Sequence, residues 1–194
     1  MVLGNHDQFT KNSAGKWEEN YNQDLVDNLK LRGITVLQNE KYQDDNIFVY
    51  GKKFPGMFYE HREPLEEFIE NIRKVDFSES EQFNILLEHS PNYTFDGEFI
   101  SLFDNLKDVD LTLAGHFHNG LIPWYLGRIL PGNFGFVDPY MRFFPKNARG
   151  VKQITDTNLG IISAPISTFS KNSGLHKIQA FYGVPEQNIL IKKK

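Results

Sequence analysis

An α/β domain, with sheets inside and helices outside, is predicted by three observations. Short apolar or β-branched runs alternate with helical patterns through the first two thirds of the chain. The last third is rich in strand-like runs. Hydrophobic residues make up 40% and aromatics 14%, including 17 Phe, enough to cover such a sheet. The 194 residues fit one domain of ordinary size.

Taken in order, Val2-Leu3 reads as the tail of a buried strand running into the polar turn Gly4-Asn5-His6-Asp7. Residues 12–32 read as a helix, because Trp17, Tyr21, Leu25, Val26 and Leu29 recur at helical spacing and Gly33 supplies a stop. Ile34–Leu37 is a short strand-like run. Lys41–Tyr50 contains the strand Ile47-Phe48-Val49-Tyr50, with a hairpin across Asp44-Asp45-Asn46. Pro64 opens a helix whose buried face carries Leu65, Phe68, Ile69 and Ile72. Phe83–Leu87 reads as a buried strand, Phe99–Leu106 as a short helix and Asp110–Ala114 as another strand. Val151–Ile154, Leu159–Ser163, His176–Phe181 and Asn188–Ile191 complete the strand-like runs, and Lys192-Lys193-Lys194 reads as a frayed, solvated end.

Composition excludes several function classes. The chain has no cysteine, so disulfides, thiolate metal sites and a cysteine nucleophile are absent. A net charge of −4 argues against a dedicated nucleic-acid binder. No stretch approaches the ~20 apolar residues of a membrane-spanning helix.

Three strand ends deliver histidine: Gly4-Asn5-His6-Asp7 after Val2-Leu3, His89 after Ile85–Leu87, and Gly115-His116-Phe117-His118 after Leu111–Ala114. Ligand sites of α/β folds form where strands end. On an extended backbone His116 and His118 point to one side, close enough for one metal or two adjacent ones. Asn5 offers an amide oxygen, His6 a proton donor, and Asp7 an acceptor for the His6 ring. Nitrogen and oxygen donors without sulfur suit Mn, Fe or Zn. The bland alternatives are histidines bonded to nearby backbone and Asp7 as a helix N-cap. His61 and His176 have no such context.

These three motifs, in this order and each at a strand end, resemble the last three motifs of the calcineurin-like metallophosphoesterases. The resemblance implies a layered sandwich of two mixed β-sheets flanked by helices, with a dinuclear metal centre at its edge. It also implies a hydrolase of phosphate mono- or diesters that uses a metal-bound hydroxide. Carried over, Asn5, His89 and His116 bind one metal and His118 the other. His6 contacts the phosphate and serves the leaving oxygen, with Asp7 orienting it. The two divalent ions would be Mn, Fe or Zn. Two cations a few Å apart neutralise charge in an in-line displacement. The family's Asp-x-His and Gly-Asp-x-x-Asp motifs precede Gly-Asn-His, and here only three residues do. The expectation is therefore a single phosphoesterase domain over residues 1–194 that corresponds to the C-terminal part of the family and has impaired catalysis. A non-catalytic remnant with a partial metal site, acting through another chain, is the alternative. An amidohydrolase-like His-x-His site is disfavoured, since that pattern belongs on the first strand of a barrel too long for this chain.

Residues 120–150 stand apart as an aromatic, basic insertion. They hold five of the 15 Gly, four of the nine Pro, seven aromatics and a net charge of +3. Together with His116-Phe117-His118-Asn119-Gly120, this stretch resembles bacterial phosphohydrolases of lipid-linked substrates. Arg128, Arg142 and Arg149 are the candidate phosphate partners. A satellite core under a long loop is the alternative reading. The expected partners are a phosphate ester, a membrane surface contacted peripherally, and a second copy through an exposed sheet edge, with no nucleic acid. Placement is read as cytoplasmic or membrane-associated.

Overall fold

The computed structural model describes residues 1–4, 7, 9–11, 13–14, 17–19, 23–53, 65–78, 80–91, 93–95, 100–102, 104–117, 122, 126, 129–130, 132–136 and 143–163. Its chain divides into two compact units, Met1–His116 with Gln153–Gly160, and Phe117–Lys152 with Ile161–Lys194.

A two-stranded ribbon comes first, β1 (Phe9–Lys11) antiparallel to β2 (Trp17–Glu19), with Phe9 opposite Glu19. Helix α1 follows over Gln23–Leu31. The helix expected over residues 12–32 is thus shorter. Asn12-Ser13-Ala14-Gly15 is a cluster of turn formers, and the ladder from Phe9 to Glu19 outcompetes the helical spacing of Trp17. The end of α1 is as the sequence predicts. Gly33 takes φ +77, its N–H donates to the Lys30 carbonyl at 2.9 Å, and the Ile34 N–H reaches back to Leu29 at 3.0 Å. That pair of bonds satisfies carbonyls the helix leaves open. Val26 of α1 packs with Leu3 and Val36, flanked by Leu25 and Leu29.

Ile34–Leu37 is not a strand of the sheet. Its carbonyl and N–H groups serve the start of the chain instead. Thr35 accepts from the Met1 ammonium at 2.7 Å, and the Leu37 N–H donates to the Met1 carbonyl at 2.8 Å.

The main sheet has six strands in the order β3 (Glu40–Gln43), β4 (Ile47–Gly51), β5 (Phe83–Leu87), β6 (Leu111–Ala114), β8 (Leu159–Ile162), β7 (Gly150–Gln153). It is mixed: β3 is antiparallel to β4, whereas β4, β5 and β6 run parallel. The predicted hairpin across Asp44-Asp45-Asn46 is present. The Asp44 carboxylate accepts the N–H groups of Asn46 at 2.8 Å and Ile47 at 3.0 Å, and the Tyr42 hydroxyl at 3.2 Å. Those bonds, the one from Asn46 first, hold its carboxyl below the usual carboxylate range. The depressed value means the turn gains stability above the ordinary carboxylate pKa and loses it as pH falls.

Helix α2 (Leu65–Arg73) covers one face of the sheet. Its Phe68 and Ile72 join Phe48, Tyr50, Leu86, Val75, Phe77, Tyr93, Leu106 and Val109 in one cluster. Phe48 meets Phe77 edge-on at 5.6 Å. Of the helix expected over Phe99–Leu106, Ile100 is helical and a 3₁₀ helix follows at Asp104–Asp108, while Phe99 and Phe103 lie outside the described residues. Asn105 there donates to the carbonyls of Ile72 and Val75. The runs at 176–181 and 188–191 lie outside the described residues. The α/β class and the mixed sheet with flanking helices stand as read from the sequence.

The packing around β4 leaves no room for a side chain at Gly51. A Cβ there would lie 2.3 Å from Leu37 Cβ and 3.0 Å from Val2 Cγ1. Gly51→Ala is expected to destabilise the fold by about 2 kcal/mol, within the usual cost of overpacking. Denaturant melts of the two proteins measure it.

Candidate active site

The parallel strands β4, β5 and β6 end level, and the ladder continues past them. Lys52 N–H donates to Leu87 at 2.8 Å, Glu88 N–H to Leu113 at 3.0 Å, and Gly115 N–H to His89 at 3.1 Å. These bonds fix the backbone of His89 and His116 beside one another. The two imidazoles meet with centroids 4.8 Å apart and planes at 68°. His116 Nδ1 lies 3.0 Å from His89 Nε2. His116 is buried, only 8% exposed.

The chain does not run extended through His116. This residue takes φ +69, in the left-handed region. The sharp turn after β6 is therefore made by histidine itself. A non-glycine residue in that region carries strain, and such residues collect at functional sites.

Gly4 closes the site from a distant part of the chain. A Cβ on Gly4 would fall 2.6 Å from His89 Cε1 and 2.9 Å from its Nδ1. The backbone thus lies directly against the imidazole, an approach only glycine permits. Asp7 locks this turn: its N–H donates to the Gly4 carbonyl at 3.1 Å, and its carboxylate accepts the Gly4 N–H at 2.9 Å. Sequence reasoning missed Gly4 as a packing surface, because the His89 ring it meets lies far away in the chain.

Strand alternation sends Glu88 to the face opposite His89. There it is buried and accepts the Thr94 hydroxyl. Lys52, equally buried, sets its ammonium 4.4 Å from the Phe68 ring centroid.

Of the predicted site residues, the structure brings together His89 and His116, with Asp7 one turn from the His89 contact. Asn5, His6, His118, Arg128 and Arg142 lie outside the described residues, as does His61. Arg149 is described, and its Nε donates to the Phe134 carbonyl at 3.0 Å. Among the described residues no group of three or more His, Cys, Asp or Glu side chains is placed to hold a metal ion.

The pair stands at N–H···N hydrogen-bond distance, and the same spacing is compatible with two nitrogens on one cation. Two nitrogens each about 2.1 Å from one ion stand about 3.0–3.4 Å apart, depending on the angle between them. The observed 3.0 Å lies in that range.

The sequence profile of the calcineurin-like phosphoesterases matches residues 1–120, which include Gly4, His89 and His116. The chain belongs to this family. Metal-dependent phosphoester hydrolysis is the chemistry the family implies, and divalent metals are the family's usual cofactors. The chain is also similar to an uncharacterized metallophosphoesterase of Aquifex aeolicus, 26% identical over 169 residues. That alignment covers 86% of this chain and 52% of the relative, so the chain spans about half the length of the curated relative it matches. No solved structure matches it.

Proposed function

We propose that this phosphoesterase domain hydrolyses phosphate mono- or diesters with two divalent ions, of which His89 and His116 hold one together with Asn5, and His118 holds the other. The observation that carries the reading is the 3.0 Å approach of His89 Nε2 to His116 Nδ1 at the level ends of β5 and β6. When bound, the ions would neutralise phosphate charge as the ester bond breaks. The chain's own groups do the rest. The ladder past β5 and β6 fixes the spacing of the two imidazoles, so little reorganisation is needed to bind a cation. Gly4 presses on one side of His89 and limits its rotation. Asp7 holds Gly4 in place. His6 is the proposed contact to the phosphate, delivering a proton to the leaving oxygen. Arg128, Arg142 and Arg149 are proposed as phosphate partners on the fork geometry of guanidinium, and a lipid-linked ester as the substrate.

The test is metal titration by calorimetry followed by assays with added Mn²⁺ on an aryl phosphomonoester and an aryl phosphodiester. The expected result is saturable Mn²⁺ uptake and metal-dependent release of the aryl alcohol, both lost in His89→Ala. Uptake without turnover would favour a non-catalytic domain that keeps a metal site. Failure to take up any divalent ion would overturn the metal assignment itself.

A further inference from the structure

A second feature, in the unit that begins at Phe117, is independent of the histidine site. Phe136, Phe143 and Phe144 form a three-ring cluster with centroid separations of 6.0, 5.7 and 6.5 Å. Two of the rings face water: Phe143 is 65% and Phe144 51% exposed. Single exposed apolar residues are ordinary, but contiguous aromatic surface marks a contact site.

The cluster is held rigidly. Phe144 N–H donates to the Phe136 carbonyl at 3.0 Å, Gly135 N–H to Pro145 at 2.9 Å, and Ala148 N–H to Asn133 at 3.0 Å. Arg149 Nε adds its bond to Phe134. Phe144 also sits at φ +54, and Asn147 at +56. Asparagine tolerates the left-handed region, whereas phenylalanine is strained there. Strained residues of this kind collect at functional sites.

Charge narrows the partner. Every charged residue described in this unit is basic: Lys146, Arg149 and Lys152. Lys146 is exposed, two residues beyond Phe144. The stretch 120–150 carries +3 in a chain of net −4. A second copy using the same patch would set like charges against each other. A dedicated nucleic-acid binder is disfavoured by the net charge of −4. A surface both anionic and apolar at shallow depth satisfies rings and cations together. We propose that this aromatic cluster docks on an anionic phospholipid bilayer, with Phe143 and Phe144 entering the interface and Lys146 pairing with headgroups. Among the described residues no helix is long and apolar enough to cross a membrane.

The experiment is co-sedimentation of the full chain with phosphatidylcholine vesicles, with and without phosphatidylglycerol. Binding is expected only with the anionic lipid and should weaken as salt rises. Phe144→Asn should lower partitioning about tenfold or more, because a ring leaves the interface. It should leave Tm unchanged or raised, because the strain is relieved. Lys146→Glu should lower partitioning by about tenfold or more as well. The proposal is overturned by any of three results: equal partitioning of Phe144→Asn and the parent, no preference for anionic vesicles, or a Tm several degrees lower in Phe144→Asn. Lipid-free self-association that Phe144→Asn abolishes would assign the face to a second copy instead.

Discussion

Replacing His116 by glycine is expected to lower affinity for Mn²⁺ or Zn²⁺ by at least about a hundredfold and to reduce metal-dependent turnover as much. Substitutions of groups that merely orient a metal's ligands cost about 10–100-fold in affinity or activity. Loss of a ligand nitrogen should reach the top of that range or pass it. Glycine is the informative choice because His116 occupies φ +69, a conformation glycine adopts without strain. The imidazole is removed while the turn is kept. The stability cost should stay near the ~1 kcal/mol of added backbone freedom plus a small cavity. Calorimetric titration and thermal melts in chelator separate the two effects. Unchanged metal affinity would show that the His89–His116 contact is structural.

Gly4→Ala should have the second largest effect on the site, through a residue that is no ligand. Its new methyl would stand 2.6 Å from His89 Cε1, closer than carbon atoms approach. Either the Gly4 turn moves or the imidazole does. The turn is tied by two bonds between Gly4 and Asp7, so the ring is the softer partner. Rotation of the ring breaks the 3.0 Å spacing that suits a shared cation. Metal affinity should fall about 10–100-fold, with about 1–3 kcal/mol lost in stability. A smaller substituent at His89 should partly restore the stability but not the metal binding. Recovery of both in Gly4→Ala/His89→Ala would show that the histidine has no part in binding.

What could be read from the sequence follows the range of the forces involved. His89 and His116 were legible because apolar runs ending in histidine announce strand ends. The Asp44 hairpin and the Gly33 stop were legible because turn chemistry is local. Residues 17–19 were misread as helix, since Trp17 fits helical spacing while the ladder that claims it lies across a turn. Ile34–Leu37 was misread for a similar reason: β-branched residues favour extended backbone, but they do not say what pairs with it. The left-handed turn at His116 had no sequence signal, because Gly115 beside it offers the cheaper route. Gly4 against His89 is a contact between segments far apart in the chain, and a single sequence carries no record of it.

That separation has a consequence for the life of the protein. The site is assembled from a segment before α1 and from the ends of two later strands, so no partly folded chain lacking that register contains it. A metal ion that binds there therefore binds only the folded state. Each tenfold excess of metal over its dissociation constant would then add about 1.4 kcal/mol to the free energy of unfolding. In a cell, marginal stability is converted by proteases into abundance. Metal starvation would then be felt as fewer copies of the protein, cleared faster.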